Sequence, residues 1–309
     1  MFAAIKKFYS KPFLQETRSL FAIILYRLFL AVVWPIYWAK YRRVLRHTRA
    51  FIRETSTDIR KRGKSAFVFA NGPSLRDIDL AKIRALCQTG KYDLISVNSY
   101  ASKSAETAPP RFAVFADNVH FAGGDTQYSR DLETCERLGI TYFAPAKYID
   151  GKSPLRMGFC SLSNIDAANT SDITRPAGYY GVTAFFALSL AKMLGYKKIY
   201  ICGYDNSYFR DFEVGDDGKM FIRHKHYYDD DAADTLVPCL YRSSSEFFFD
   251  TYRHFSFLAK IARDDSSIVN VAKRTYLSDI SMDRSLDIYK GTKDSDTTSN
   301  ELSPGFKPC

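Results

Sequence analysis

The apolar run Ala66-Phe67-Val68-Phe69-Ala70 is closed abruptly by Asn71-Gly72-Pro73-Ser74, and this junction constrains the fold more than any other stretch. A short run rich in Phe and Val that ends in Asn-Gly-Pro reads as a buried strand entering a tight turn. Apolar residues recur at Leu75, Ile78, Ile83 and Leu86, with Ser74 placed to cap a helix over residues 74–86. Strand, glycine-containing turn and helix N-terminus together present backbone N–H groups to a phosphate. The turn is neither G-x-G-x-x-G nor the phosphate loop that ends in Gly-Lys-Ser/Thr.

The same alternation continues along the chain. Residues 92–98, 111–116, 140–144 and 197–202 read as further strands, and residues 181–194 as a strongly apolar helix. A second long helix is expected over residues 246–262. Strands alternating with helices imply a doubly wound, mostly parallel α/β sheet of the Rossmann-like kind, filling residues 65–290. Ligands of such sheets bind beyond the carboxyl ends of the strands. Asn71, Asn98, Asp117 with Asn118, and Asp205 each fall at such an end.

The formal charge of +10 suggests nucleic acid until it is located. Residues 1–64 hold fifteen Lys and Arg against only Glu16, Glu54 and Asp58, so the remainder of the chain is slightly acidic. The basicity therefore belongs to an N-terminal arm, and no nucleic-acid partner is expected. Within that arm, residues 20–39 approach the roughly 20 apolar residues that cross a bilayer. Arg27 near the middle and Pro35 near the end oppose a clean single span. Trp34, Tyr37 and Trp38 cluster at one end, followed by Lys40, Arg42, Arg43 and Arg46. This order suits anionic lipid at the cytoplasmic face of the inner membrane, with the arm either inserted or lying in the interface. The alternative is a helix packed on the domain or on a second subunit of a homo-oligomer.

Six cysteines are scattered without C-x-x-C or metal-type spacing, which fits reduced thiols in a cytosolic setting. Residues 291–309 are polar and rich in Ser, Thr, Asp and Lys, the composition of a disordered tail.

Three segments together carry a family resemblance: Phe69-Ala70-Asn71-Gly72-Pro73-Ser74-Leu75; Ser96-Val97-Asn98-Ser99-Tyr100; and Gly181-Val182-Thr183 through Leu194-Gly195-Tyr196-Lys197-Lys198-Ile199 to Gly203-Tyr204-Asp205. They resemble a superfamily that includes the bacterial lipooligosaccharide sialyltransferases, which use CMP-sialic acid. The motility-accessory (Maf) flagellin glycosyltransferases and the 6-hydroxymethylpterin diphosphokinase (MptE-like) domain also belong to it. The resemblance implies that Asn71 and Gly72, with Ser74, meet the nucleotide phosphates and that Asn98 contacts the nucleotide sugar. It also implies roles for Asn118 or Asp117 after the third strand, for Gly181 at the long helix, and for Asp205. Two departures stand out. Tyr180 replaces the Ser that precedes the family's Gly-Val, and the family's catalytic His aligns near Tyr241-Arg242-Ser243, where this chain has none.

The segment Arg223-His224-Lys225-His226-Tyr227-Tyr228-Asp229-Asp230-Asp231 offers a replacement. His226 is the expected base, because a near-neutral imidazole accepts a proton readily at physiological pH. Arg223, Tyr227 and Tyr228 are expected to steady a departing phosphate. Asp229 and Asp230 are candidate oxygen ligands for Mg²⁺. His254 is expected to pack within the late helix.

The favoured expectation is a glycosyltransferase that moves a sialic-acid-like sugar from a CMP donor to a cell-surface glycan or glycolipid, without a cofactor. Two alternatives stay open. One is an MptE-like diphosphokinase using ATP and Mg²⁺, and the other a non-catalytic nucleotide-sugar-binding subunit of polysaccharide assembly.

Overall fold

The computed structural model describes residues 20–121, 123, 127–162, 172–176, 182–223, 225–229, 236–239, 241, 243–265 and 267–291. Tyr180, Gly181, His224, Asp230, Asp231, Arg242, residues 1–19 and the tail from 292 onward lie outside the described residues.

Helix α1 (Leu20–Arg62) feeds β1 (Ser65–Phe69). Then follow α2 (Leu80–Gln88), β2 (Tyr92–Val97), α3 (Tyr100–Ser104), β3 (Phe112–Val114), α4 (Gln127–Leu138), β4 (Thr141–Pro145) and β5 (Arg156–Phe159). After α5 (Thr183–Leu194) and β6 (Ile199–Cys202) come β7 (Phe212–Val214), β8 (Met220–Arg223), β9 (Leu236–Pro238), α6 (Ser244–Asp264) and β10 (Ile268–Asn270). Seven strands form one sheet in the order β10-β6-β1-β2-β3-β4-β5, every pair parallel. Strands β7, β8 and β9 form a separate antiparallel sheet. The doubly wound parallel architecture read from the sequence is therefore present.

Period-two alternation in β1 divides the core. Ala66, Val68 and Ala70 face a cluster that includes Ile52 and Ile59 of α1, Phe185 and Leu188 of α5, and Phe257 and Ile261 of α6. Phe67 and Phe69 face the other side, against Leu75, Ile83, Tyr100 and Ile288. A third cluster, including Phe115, Cys135 and Tyr142, fills the space under α4.

Three boundaries differ from the sequence reading. The helix expected over 74–86 is split into a 3-10 turn, Pro73–Asp77, and α2. Ser74 makes no helix cap; Asp79 caps α2 by accepting from the Ala81 and Lys82 amides at 2.9 and 3.3 Å. Pro73 starts the short turn, and Ile78 leaves helical geometry to bridge Tyr289. Strands β5 and β10 and the small antiparallel sheet, each strand three or four residues long, were not read from the sequence.

The third difference concerns the arm. Helix α1 is continuous for 43 residues, and its second half belongs to the sheet domain. Leu45, Thr48, Ile52 and Ile59 are buried, and Phe51 packs edge-on to Phe112 and Phe143. Strand β5 is an edge strand, and α1 covers it: Gly158 donates its N–H to Thr48 Oγ1 at 2.9 Å. A Cβ at Gly158 would meet Val44 Cγ1 at 2.2 Å, so glycine sets this approach. A boundary at residue 64 therefore does not separate the arm from the fold. No helix among the described residues is long and apolar enough to cross a membrane.

Candidate functional site

Strand order creates a switch point between β1 and β6, because the chain leaves β1 toward β2 and leaves β6 toward β10. At such a point the loops beyond the strand ends diverge and leave a crevice. Here the two loops are stitched together at their base. Gly72 donates to the Gly203 carbonyl at 3.0 Å, Ser74 N–H to Asp205 Oδ2 at 2.9 Å, and Gly203 N–H to Ser74 Oγ at 3.1 Å.

This stitching revises the phosphate reading of the turn. The Gly72 and Ser74 amides are spent on β6-loop acceptors, and Pro73 has no N–H to offer. Gly72 has ordinary extended angles, φ −66° and ψ 159°, so its backbone does not demand glycine. Space does: a Cβ there would lie 2.2 Å from Asp205 Oδ2 and 2.5 Å from the Gly203 carbonyl. Gly203 does need its freedom, at φ +75° with the Ala70 carbonyl 2.2 Å from where its Cβ would sit. Burial raises the Asp205 carboxyl above its ordinary value; the Ser74 hydrogen bonds oppose that rise and nearby Asp77 adds to it.

What the strand ends leave unsatisfied is side-chain amide. Asn71 Oδ1, Asn98 Oδ1 and Asn206 Nδ2 are buried without a hydrogen-bond partner, as is Ser96 Oγ within β2. Asn98 (φ +46°) and Asn206 (φ +51°) are also the two non-glycine residues with positive φ among those described. Unpaired buried polar groups are uncommon and costly, and strained backbone gathers at functional sites. Both signals coincide here, at the ends of β2 and β6. Asn98 Nδ2 donates to Asp117 Oδ2 at 2.8 Å, and Thr183 Oγ1 donates to the same oxygen at 3.3 Å. Asp117 thus ties the ends of β2 and β3 to the start of α5. Asn118 is turned elsewhere: it is exposed, and its Oδ1 accepts from Lys147 at 3.0 Å and Tyr148 at 2.8 Å.

The His226 segment lies against this edge. Tyr227 N–H donates to the Asn71 carbonyl at 3.0 Å. The Arg76 guanidinium grips the loop through the carbonyls of Tyr227 (3.0 Å), His226 (3.1 Å) and Asp229. Tyr227 shares a 2.7 Å hydrogen bond with Ser104 and packs by Tyr100, and its hydroxyl is raised by burial. The Tyr228 hydroxyl is pushed up to about 12 by burial, against the lowering effect of its bond to Ser99; its ring lies under Lys103 Nζ at 5.5 Å. The His226 ring stacks obliquely on Tyr228 at 5.1 Å.

Asp229 turns inward, accepting from the His226 N–H at 2.7 Å. Its carboxylate is thereby occupied with shaping the loop, and among the described residues no group of three or more His, Cys, Asp or Glu is arranged to hold a metal ion. Arg223 sits on β8 with its guanidinium on Glu213 Oε1 at 2.6 and 2.8 Å, an ion pair across the small sheet. His254 packs edge-on to Phe185 beside Asp250. The sequence reading missed Arg76, Asn206 and Thr183. Asn206 directly follows the Gly-Tyr-Asp end of β6 and was within reach of the strand-end rule. Arg76 had no local signal.

Two cavities lie away from these amides. One, of about 430 Å³, opens at the opposite edge of the sheet, where Asp93 is saturated by Lys64 (3.0 Å), Arg111 (2.7 Å) and Tyr196 (2.8 Å). The other, of about 520 Å³, lies between Arg27, Ala31 and Trp34 of α1 and Asp172, Arg175 and Pro176. No known family model, curated protein or solved structure matches the chain.

Proposed function

We propose that the chain is a glycosyltransferase that moves a sialic-acid-like ulosonate from a CMP donor to a glycan or glycolipid at the cytoplasmic membrane surface. The observation that carries this reading is the set of buried amide atoms left unpaired, Asn71 Oδ1, Asn98 Oδ1 and Asn206 Nδ2, at neighbouring strand ends beside a histidine- and tyrosine-bearing loop. Such amides match the mixed donors and acceptors of a ribose and pyrimidine better than they match bare phosphate. On this reading the donor lies across the ends of β1, β2 and β6. The bond between the sugar's anomeric carbon and the phosphate oxygen breaks, and CMP departs with the electron pair. The acceptor hydroxyl forms the new bond and gives its proton to His226. Tyr228, whose hydroxyl stays protonated at neutral pH, is a suitable hydrogen-bond donor to the leaving phosphate.

Thermal-shift measurements with CMP, CDP, UDP, GDP and ATP, each with and without Mg²⁺, test the reading. Ligands that bind the folded state raise its apparent stability. Cytidine nucleotides are expected to stabilise the protein without Mg²⁺. Stabilisation by ATP only with Mg²⁺ would favour the diphosphokinase instead, and no shift with any nucleotide would overturn both.

A further inference from the structure

The first half of α1 presents a face that the fold does not use. Ile24, Leu28, Val32 and Ile36 are 46%, 59%, 64% and 52% exposed, spaced four residues apart along one side of the helix. The same side continues into Arg42, Arg43 and Arg46, all exposed, with Lys40 at its flank. The buried residues of the second half, Leu45, Thr48, Ile52 and Ile59, lie on the opposite side. Helix α1 also has a defined direction. Tyr37 meets Ser161 just past the end of β5, whereas Arg60 lies beside Gly195, just before β6. It therefore runs against the strands, and its first half projects past the carboxyl end of the edge strand β5.

We infer that this face docks in the plane of an anionic bilayer, with the apolar stripe in the acyl boundary and the arginine run on lipid phosphates. An apolar stripe that gives way along one face to a block of cations is complementary to a negatively charged lipid surface, and less so to a second copy of the same cationic face. Arg27 sits off the stripe, beside the cavity-lining Ala31 and Trp34, so an in-plane helix keeps it out of the hydrocarbon. The inference deepens the membrane part of the proposed function and does not depend on which nucleotide binds.

The test is co-sedimentation of the full chain with vesicles of phosphatidylcholine alone or with 30% phosphatidylglycerol, about the charge density of an acidic membrane. The full chain is expected to bind the anionic vesicles and to leave the neutral ones. Leu28→Glu with Val32→Glu is expected to weaken binding at least about tenfold, by removing the inserted stripe. Arg42→Gln, Arg43→Gln and Arg46→Gln are each expected to cost about fivefold, and high salt to mimic them. All five positions are exposed, so an unchanged melting temperature reports an intact fold. Equal binding to neutral vesicles, or binding indifferent to the stripe, would overturn the inference. So would a dimer, seen by light scattering, that the stripe substitutions dissolve. A failure here leaves the nucleotide thermal shifts untouched, and the two readings fall separately.

Discussion

At the scale of single residues, Gly72 shows how the same glycine serves a different neighbour from the one its motif suggests. Its missing side chain makes room for Asp205 and the Gly203 carbonyl. Gly72→Ala is therefore expected to destabilise the fold by about 1–3 kcal/mol, the usual cost of overpacking, read from a urea melt. An unchanged melt with lost nucleotide binding would instead restore the phosphate role. Asp205 carries a second residue-scale consequence. Its carboxyl is raised by burial, so the folded state holds its proton more tightly than the unfolded chain does. Below the unfolded value both states are protonated and the group is neutral to folding. As pH rises through the folded value, the unfolded chain binds fewer protons, and stability falls. Asp205→Asn removes this loss, so its urea midpoint should gain on wild type between pH 4 and pH 7. A relative loss over that interval would mean that the ionised carboxylate is favoured in the fold.

Among elements, the loop from Lys225 to Asp229 depends on one distant side chain. Arg76 lies in the turn after β1, yet it holds three carbonyls of a segment about 150 residues away. Arg76→Ala is expected to speed hydrogen exchange at the Tyr227 amide at least about tenfold, because that amide's bond to Asn71 relies on the docked loop. His226→Ala should leave the exchange pattern intact while lowering turnover about a hundredfold. Full turnover in that variant would remove His226 from the mechanism. Helix α1 carries the other element-scale prediction. Removing residues 1–40 spares Leu45, Thr48 and Ile52, and the sheet domain should unfold as cooperatively as before. Removing residues 1–50 takes away fully buried Leu45 and the Thr48 partner of Gly158, at an expected cost of about 2–5 kcal/mol in denaturant. Equal stability of the two truncations would mean that residues 41–50 contribute nothing to the core.

For the whole molecule, the parallel sheet was legible because β1 and β6 are short, largely apolar runs ending in turn residues, and β2 is apolar apart from Asp93 and Ser96. The ends of those strands were legible too, and Asn71, Asn98, Asp117 and Asp205 do gather there. What stayed hidden was pairing over distance. Nothing near Gly72 announces that Gly203 will take its amide, and nothing near Arg76 announces its loop. The apolar run of residues 20–39 read as lipid-directed, and period alone did not show that the same helix goes on to meet the sheet. The parallel pairing of Val68 with Ile201 has a further effect, in time. On a ribosome adding about 5–20 residues per second, β1 waits roughly 7–25 s for the strand that completes its edge. Throughout that wait α1 is already made, with its apolar stripe formed and the candidate site not yet assembled. If the proposed membrane docking holds, a nascent chain that meets a membrane during this interval would be tethered before its candidate site is assembled.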